Sequence, residues 1–357
     1  MPIFRKSKKD SEYEKEKDLL RKSTKSRGRK EPKKPWGKKE RLLVLLILVA
    51  TVGLSAILAL SSRAWKLPGL PRFKLPTINL PFTGEETIVI EGDKESLEKT
   101  ARSEEAIQKF KEQTGKLSGV YGLYVVDLDT GFSYGVNERE VFEPASLNKL
   151  PVIAALYMEA ESLRPGGTSG PEGESYLESK YKLKNSDKAI GAGSLFTRPE
   201  GYEITYRNLI RLMGKQSDNT AFNITKNLLG DEKIEQAILR IGMKDTSLSK
   251  NETTPVDIGI FFEELWHGNI VSPEYRDELL GFLTDTLYES WITEGVPDEI
   301  RVAHKYGRET HVVNDAGIVY AQDPFVLVIM SKGAIEREAD AIFPELAKIV
   351  YEAKLAN

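Results

Sequence analysis

The chain has 357 residues, 40% hydrophobic and 29% charged, with a net charge of −3; this excludes a wholly disordered or fibrous protein and suits one large or two medium domains. It has no cysteine, which excludes disulfides, thiolate metal sites and cysteine nucleophiles, and only three histidines, His267, His304 and His311, which argues against a multi-histidine metal centre. Residues 1–41 hold 17 basic and 7 acidic side chains, leaving −13 on the rest, and an acidic body argues against nucleic acid as a partner.

In chain order, the basic tail (1–41) leads into an uninterrupted apolar run of 19 residues, 42–60, with nothing more polar than Thr51 and Ser55. At ~1.5 Å per residue a helix of that length matches the hydrocarbon core of a bilayer, so a transmembrane helix is expected. The basic residues before it place the N-terminus in the cytoplasm and the remainder outside the cell membrane, as an uncleaved single-pass anchor. Residues 61–84 carry Pro68, Pro71, Pro76 and Pro81, which block helix and read as a semi-rigid stalk. Residues 85–357 read as one two-lobed extracytoplasmic domain.

Within that domain the pattern predicts an amphipathic helix over 94–114, then a hairpin of strands 119–127 and 132–136 around Asp129-Thr130-Gly131. Helices come next over 146–161, 206–213, 221–229, 233–241 and 256–266, with 164–175 as a flexible loop. Strands over 301–306, 312–321 and 324–331 and a helix over 335–356 close the chain. Strands at both ends imply an α+β fold: one antiparallel sheet formed from both ends of the domain, flanked by helices, plus an all-α subdomain.

Gly131-Phe132-Ser133-Tyr134-Gly135 fits the G-x-S-x-G pattern of a nucleophile elbow, but its flanks are strand and strand, so it reads as a hairpin turn. Ser-x-x-Lys occurs four times, at Ser96, Ser146, Ser179 and Ser247. Only Ser146 opens a long apolar helix, where helix-terminal N–H groups favour developing negative charge and burial lowers the pKa of Lys149. Downstream lie Ser217-Asp218-Asn219, at the edge of a helical run, and Lys305-Tyr306-Gly307, on a late strand.

In this order and context the domain resembles a class A β-lactamase, within the larger family of penicillin-binding serine acyl-enzymes. The resemblance covers about residues 119–351. Besides the three motifs it includes Asp127 to Gly131, Phe142 to Lys149, Gly191 to Leu195, Thr253-Thr254-Pro255 and His304 to Gly307. It implies that Ser146 is the nucleophile, Lys149 its base, and Ser217 a proton relay to the leaving nitrogen. It also implies that Asn219 holds the substrate's side-chain amide and that Lys305, with Tyr306 and Gly307, receives its carboxylate. The oxyanion hole would be the backbone N–H groups of Ser146 and Arg308. No cofactor or metal is implied, and the expected partners are a β-lactam or a peptidoglycan stem peptide, besides the membrane.

Two departures stand out. Tyr306 replaces the Thr or Ser that helps bind the substrate carboxylate. The loop that in class A enzymes carries the deacylating Glu is reduced to residues 243–252, whose acids are Asp245 and Glu252; Glu252, beside Thr253, is the candidate replacement. The expectation is therefore a membrane-anchored serine β-lactamase-like hydrolase with slow deacylation. A penicillin-binding D,D-peptidase and a catalytically silent wall-binding or scaffold protein stay open as alternatives.

Overall fold

The computed structural model describes residues 91–163 and 171–355, with Leu48 and Thr51 as isolated helical positions. The chain divides between Glu86 and Thr87, and the second of the two units carries the fold. The tail, the stalk and, apart from those two positions, the apolar run 42–60 lie outside the described residues. Among the described residues no helix is long and apolar enough to cross a membrane.

Helix α1 (Glu91–Thr114) leads into strands β1 (Val120–Asp127) and β2 (Ser133–Val136). A long excursion then carries α2 (Lys149–Ser162), α3 (Pro171–Leu177), β3 (Lys180–Lys182), β4 (Glu203–Thr205), α4 (Tyr206–Gln216), α5 (Asn219–Leu229), α6 (Asp231–Ile241), α7 (Pro255–Trp266) and α8 (Pro273–Phe282). The chain returns through β5 (Val302–Glu309), β6 (Val312–Val319) and β7 (Phe325–Lys332) and ends in α9 (Glu336–Leu355). The sheet runs β2-β1-β7-β6-β5 and every neighbouring pair is antiparallel. Strands from both ends of the domain thus share one sheet, as the order of strand and helix patterns predicts.

Both faces of this sheet are buried, which explains why its strands read as nearly continuous apolar runs rather than alternations. Side chains alternate across a strand. Val126, Ala316, Ile318, Val326, Val328 and Met330 therefore enter the core shared with the helical lobe, while Leu123, Val125, Val313, Leu327 and Ile329 face the core built with α1 and α9. Helix α2 runs through the first core with ten of its residues buried. Strand β5 is an edge strand of the sheet and lies beside residues 145–148 and α8.

Four details differ from the sequence expectation, one of them helix α8, which no pattern above predicts. Residues 164–175 are not loop throughout, because Pro171 opens α3 with Glu172 and Glu174 in its first turn; a proline fixed at helical φ, followed by acids, starts a helix. The helical lobe also carries a two-stranded hairpin, β3 with β4, too short to show a period of two. Finally, the apolar pattern from Ser146 begins as a 3₁₀ turn over Ala145–Asn148 before the α-helix starts at Lys149.

Candidate active site

The segment before Ser146 is tied down on two sides. Phe142 pairs with Thr253 through two backbone bonds of 2.8 and 3.0 Å, and Asn314 Nδ2 on β6 donates to the Glu143 carbonyl at 2.8 Å. Between these anchors Ala145 is held at φ 48°, a left-handed conformation that a residue with a Cβ adopts at a cost, and one that clusters at functional sites. The turn presents Ser146 half-buried at the head of α2. One turn on, Lys149 Nζ donates to Ser146 Oγ at 2.8 Å and to Asn219 Oδ1 at 3.0 Å, and it lies 5.2 Å from the centre of the Phe222 ring.

The second wall comes from the junction of α4 and α5. Ser217 ends α4 in the left-handed region, φ 54°, which breaks the helix and turns its hydroxyl toward the sheet. Asp218 caps α5: Oδ1 accepts from Ala221 N and Oδ2 from Leu195 N, both at 2.8 Å. Gly193 is required beside it, since a Cβ there would stand 2.1 Å from Asp218 Oδ2. Asn219 N bonds to Ala192 O at 3.0 Å and its Nδ2 to Ile190 O at 3.2 Å, so the side chain is aimed from both ends.

The third wall is β5. Lys305 Nζ crosses to Ser217 Oγ at 2.9 Å and also donates to the Tyr306 carbonyl at 2.7 Å. A Cβ on Gly307 would stand 2.8 Å from Ser146 N and 3.0 Å from Pro144 O, so glycine is what lets the strand approach Ser146. The N–H of His304 leaves the sheet to bond Leu283 O at 2.8 Å. By the two-residue period of the regular β5–β6 ladder, the N–H of Arg308 points out along the same edge. The Ser146 and Arg308 amides therefore flank the approach to the hydroxyl, as an oxyanion pair must. The Arg308 side chain turns the other way and pairs with Asp340.

Burial controls the charges. Lys149 is 3% exposed, and desolvation, opposed by the fields of Asp218 and Glu309, brings its pKa down to about 8. At that value a substantial neutral fraction exists near neutral pH to take the Ser146 proton. Lys305 is wholly buried and also lies well below the ordinary lysine range, through desolvation and the nearby Lys149 ammonium. Behind β5, burial would depress His304, but Asp315 at 2.7 Å and Glu289 at 3.3 Å override it and raise its pKa to about 9. Asp315 in turn accepts from Ile292 N at 3.0 Å. The Tyr306 ring packs on the same side against Tyr288 and Trp291, with centroids 5.4 and 6.4 Å away, and lies 4.1 Å from Lys305 Nζ.

The structure thus brings together Ser146, Lys149, Ser217, Asn219, Lys305, Gly307 and the Arg308 amide, with the Tyr306 ring beside Lys305. Among the described residues Glu252 shares no side-chain hydrogen bond with them; it lines a recess together with Pro144, Leu147, Asn148, Pro151 and Ile258. Of the other Ser-x-x-Lys positions, Ser96 lies on α1, Ser179 comes after α3 and Ser247 sits in a loop; Ser133 opens β2, as the hairpin reading predicts. Three neighbours had no sequence signal: Phe222 against Lys149, the Glu289–His304–Asp315 cluster, and Glu309, which strand alternation alone puts on the face of Lys305 and Gly307. Among the described residues no group of three or more acidic or histidine side chains is arranged to hold a metal ion.

Known proteins share this fold. A β-lactamase from Streptomyces lavendulae is 25% identical over 231 residues, covering 59% of this chain and 73% of that protein. The crystal structure of a β-lactamase from Sphaerobacter thermophilus superposes with a TM-score of 0.63 at 25% identity, covering 71% of this chain and 96% of the other. The structure of PBP-A gives 0.63 at 25% identity over 70% and 95% of the two chains; a mutant of it has been solved as an acyl-enzyme complex with penicillin G. The sequence model of the beta-lactamase enzyme family matches residues 102–353, and the chain belongs to that family of serine hydrolases, which act through an acyl-enzyme.

Proposed function

We propose that this protein is a membrane-anchored, extracytoplasmic serine acyl-enzyme that opens β-lactams or D-Ala-D-Ala type amides and releases the acyl group slowly. The observation that carries the reading is the 2.8 Å bond between Lys149 Nζ and Ser146 Oγ, beside the 2.9 Å bond between Lys305 and Ser217. Neutral Lys149 takes the Ser146 proton as Oγ attacks the carbonyl, and the Ser146 and Arg308 amides receive the developing oxyanion, worth ~3–4 kcal/mol per donor. Ser217, held by Lys305, passes a proton to the leaving nitrogen. Asn219 holds the substrate amide, and Lys305 attracts its carboxylate. Tyr306 gives that pocket an aromatic wall where the family has a hydroxyl.

Slow release is supported by the connection that carries the deacylating acid in class A enzymes, which is shortened here to residues 243–252, and by the exposed position of Asp245 in it. A general base contributes ~10²–10⁴-fold. The D,D-peptidase alternative is supported by that short connection and by the likeness to PBP-A. Membrane anchoring is supported by the 19-residue apolar run behind a basic tail. The test is a mass spectrum of the full-length protein after exposure to penicillin G: one adduct, on the peptide containing Ser146, persisting after the drug is removed. Absence of any adduct would defeat the acyl-enzyme reading, and rapid multiple turnover the slow-release part of it.

A further inference from the structure

We propose that Glu309 is the carboxylate that activates water for release of the acyl group, an inference that rests on the acyl-enzyme chemistry proposed above. Strand β5 is paired in unbroken register with β6, from Val302 opposite Val319 to Glu309 opposite Val312. With no bulge in that ladder, Lys305, Gly307 and Glu309 project to one face. Lys305 reaches Ser217 on that face, and at Gly307 the direction a Cβ would take runs into Ser146 N. Glu309 is the next position along the same row, one residue beyond the amide of Arg308.

Its electrostatic reach agrees with this placement. The anions whose fields act on Lys149 are Asp218 and Glu309. Asp218 has both oxygens committed to the backbone of Ala221 and Leu195 and is 1% exposed, so it has no oxygen to offer a water. Glu309 is exposed, and among the described residues no hydrogen bond or ion pair engages its carboxylate. Glu252 and Asp245, the acids of the shortened connection, are not among the charges acting on Lys149.

The step balances as an ester hydrolysis. Glu309 takes one proton from water while the oxygen adds to the acyl carbon, and the oxyanion rests on the Ser146 and Arg308 amides. As the carbon–Oγ bond breaks, Oγ takes a proton from Lys149, which receives in turn the proton that Glu309 took from water. The product leaves as a carboxylic acid, whose proton passes to solvent, and Lys149 ends neutral, as the next acylation requires. An exposed carboxylate at an open strand edge is a less well-held base than one fixed in a closed loop, which fits slow but measurable release.

The experiment is a pulse of a fluorescent penicillin on the full-length protein, chased with excess penicillin G, for wild type, Glu309→Gln, Glu309→Asp and Glu252→Gln. Glu309→Gln should hold its label about 10²-fold longer than wild type or more, with Glu309→Asp in between and Glu252→Gln at the wild-type rate. If Glu309→Gln acquires the label and loses it at the wild-type rate, or changes only the pH profile of labelling, the proposal is overturned while the acyl-enzyme reading stands. If wild type acquires no label, the acyl-enzyme reading falls and this inference with it.

Discussion

Lys305 Nζ lies 2.9 Å from Ser217 Oγ, joining two residues 88 positions apart, one on an edge strand and the other at a helix end, both buried. This bond closes the site between the sheet and the helical lobe, and it makes the two side chains a unit. Ser217→Ala and Lys305→Ala should each lower acylation by about 10²-fold or more, and the double variant should be little worse than either single one, because residues that act together are non-additive. Second-order labelling rates for the three proteins test this; additive losses would mean separate roles.

Acylation should rise with pH through about 8, where Lys149 becomes neutral. Stability shifts with the same group. Its folded pKa lies below the unfolded value of 10.5, so the cost of burying the ammonium is present in full below about 8 and is relieved between about 8 and 10.5. Denaturant midpoints measured across that window should rise for wild type relative to Lys149→Met, a variant that also labels at least 10²-fold more slowly. A flat difference between the two would contradict the burial argument.

His304 should give the opposite sign. Its folded pKa is raised from 6.5 to about 9, so the stabilisation from Asp315 and Glu289 is complete below about 6.5 and is lost as pH rises through 9. Asp315→Asn strands a buried imidazolium and should cost about 3–5 kcal/mol at pH 6 and less at pH 9. Unfolding in urea at the two pH values is the measurement, and an equal loss at both would exclude a charged His304.

Gly307→Ala should cut acylation by about 10²–10³-fold, since the added methyl meets Ser146 N at 2.8 Å and displaces one side of the oxyanion pair. Labelling kinetics, with circular dichroism to confirm folding, decide it. Labelling within a few-fold of wild type would show that strand and nucleophile yield without consequence.

Tyr306→Thr restores the family hydroxyl but removes a half-buried ring from contact with Tyr288 and Trp291. We expect a loss of about 1–3 kcal/mol in urea unfolding, whereas Tyr306→Phe should stay within about 1 kcal/mol. If Tyr306→Thr is as stable as wild type, the aromatic cluster does not hold this edge.

The sheet built from both ends of the domain, the long helices and the Ser146-Lys149 pair are legible in the sequence, because each rests on local information: apolar runs bounded by turn residues, a period of 3.6, a spacing of three residues at the start of an apolar helical stretch. The family motifs also single out Ser217, Asn219 and Lys305, although no local rule places residues 88 positions apart within hydrogen-bond reach. Other features arise only from tertiary packing. Ala145 and Ser217 take left-handed conformations because the Phe142–Thr253 bridge, the Asn314 bond and the cap of α5 leave the chain no other path. Lys149 titrates near 8 because the core around α2 excludes water from it. Glu309, a lone acid at the end of a strand, comes to the face of Lys305 and Gly307 only once β5 is paired in register with β6, since the face a side chain takes is set by the pairing and never by its own sequence position.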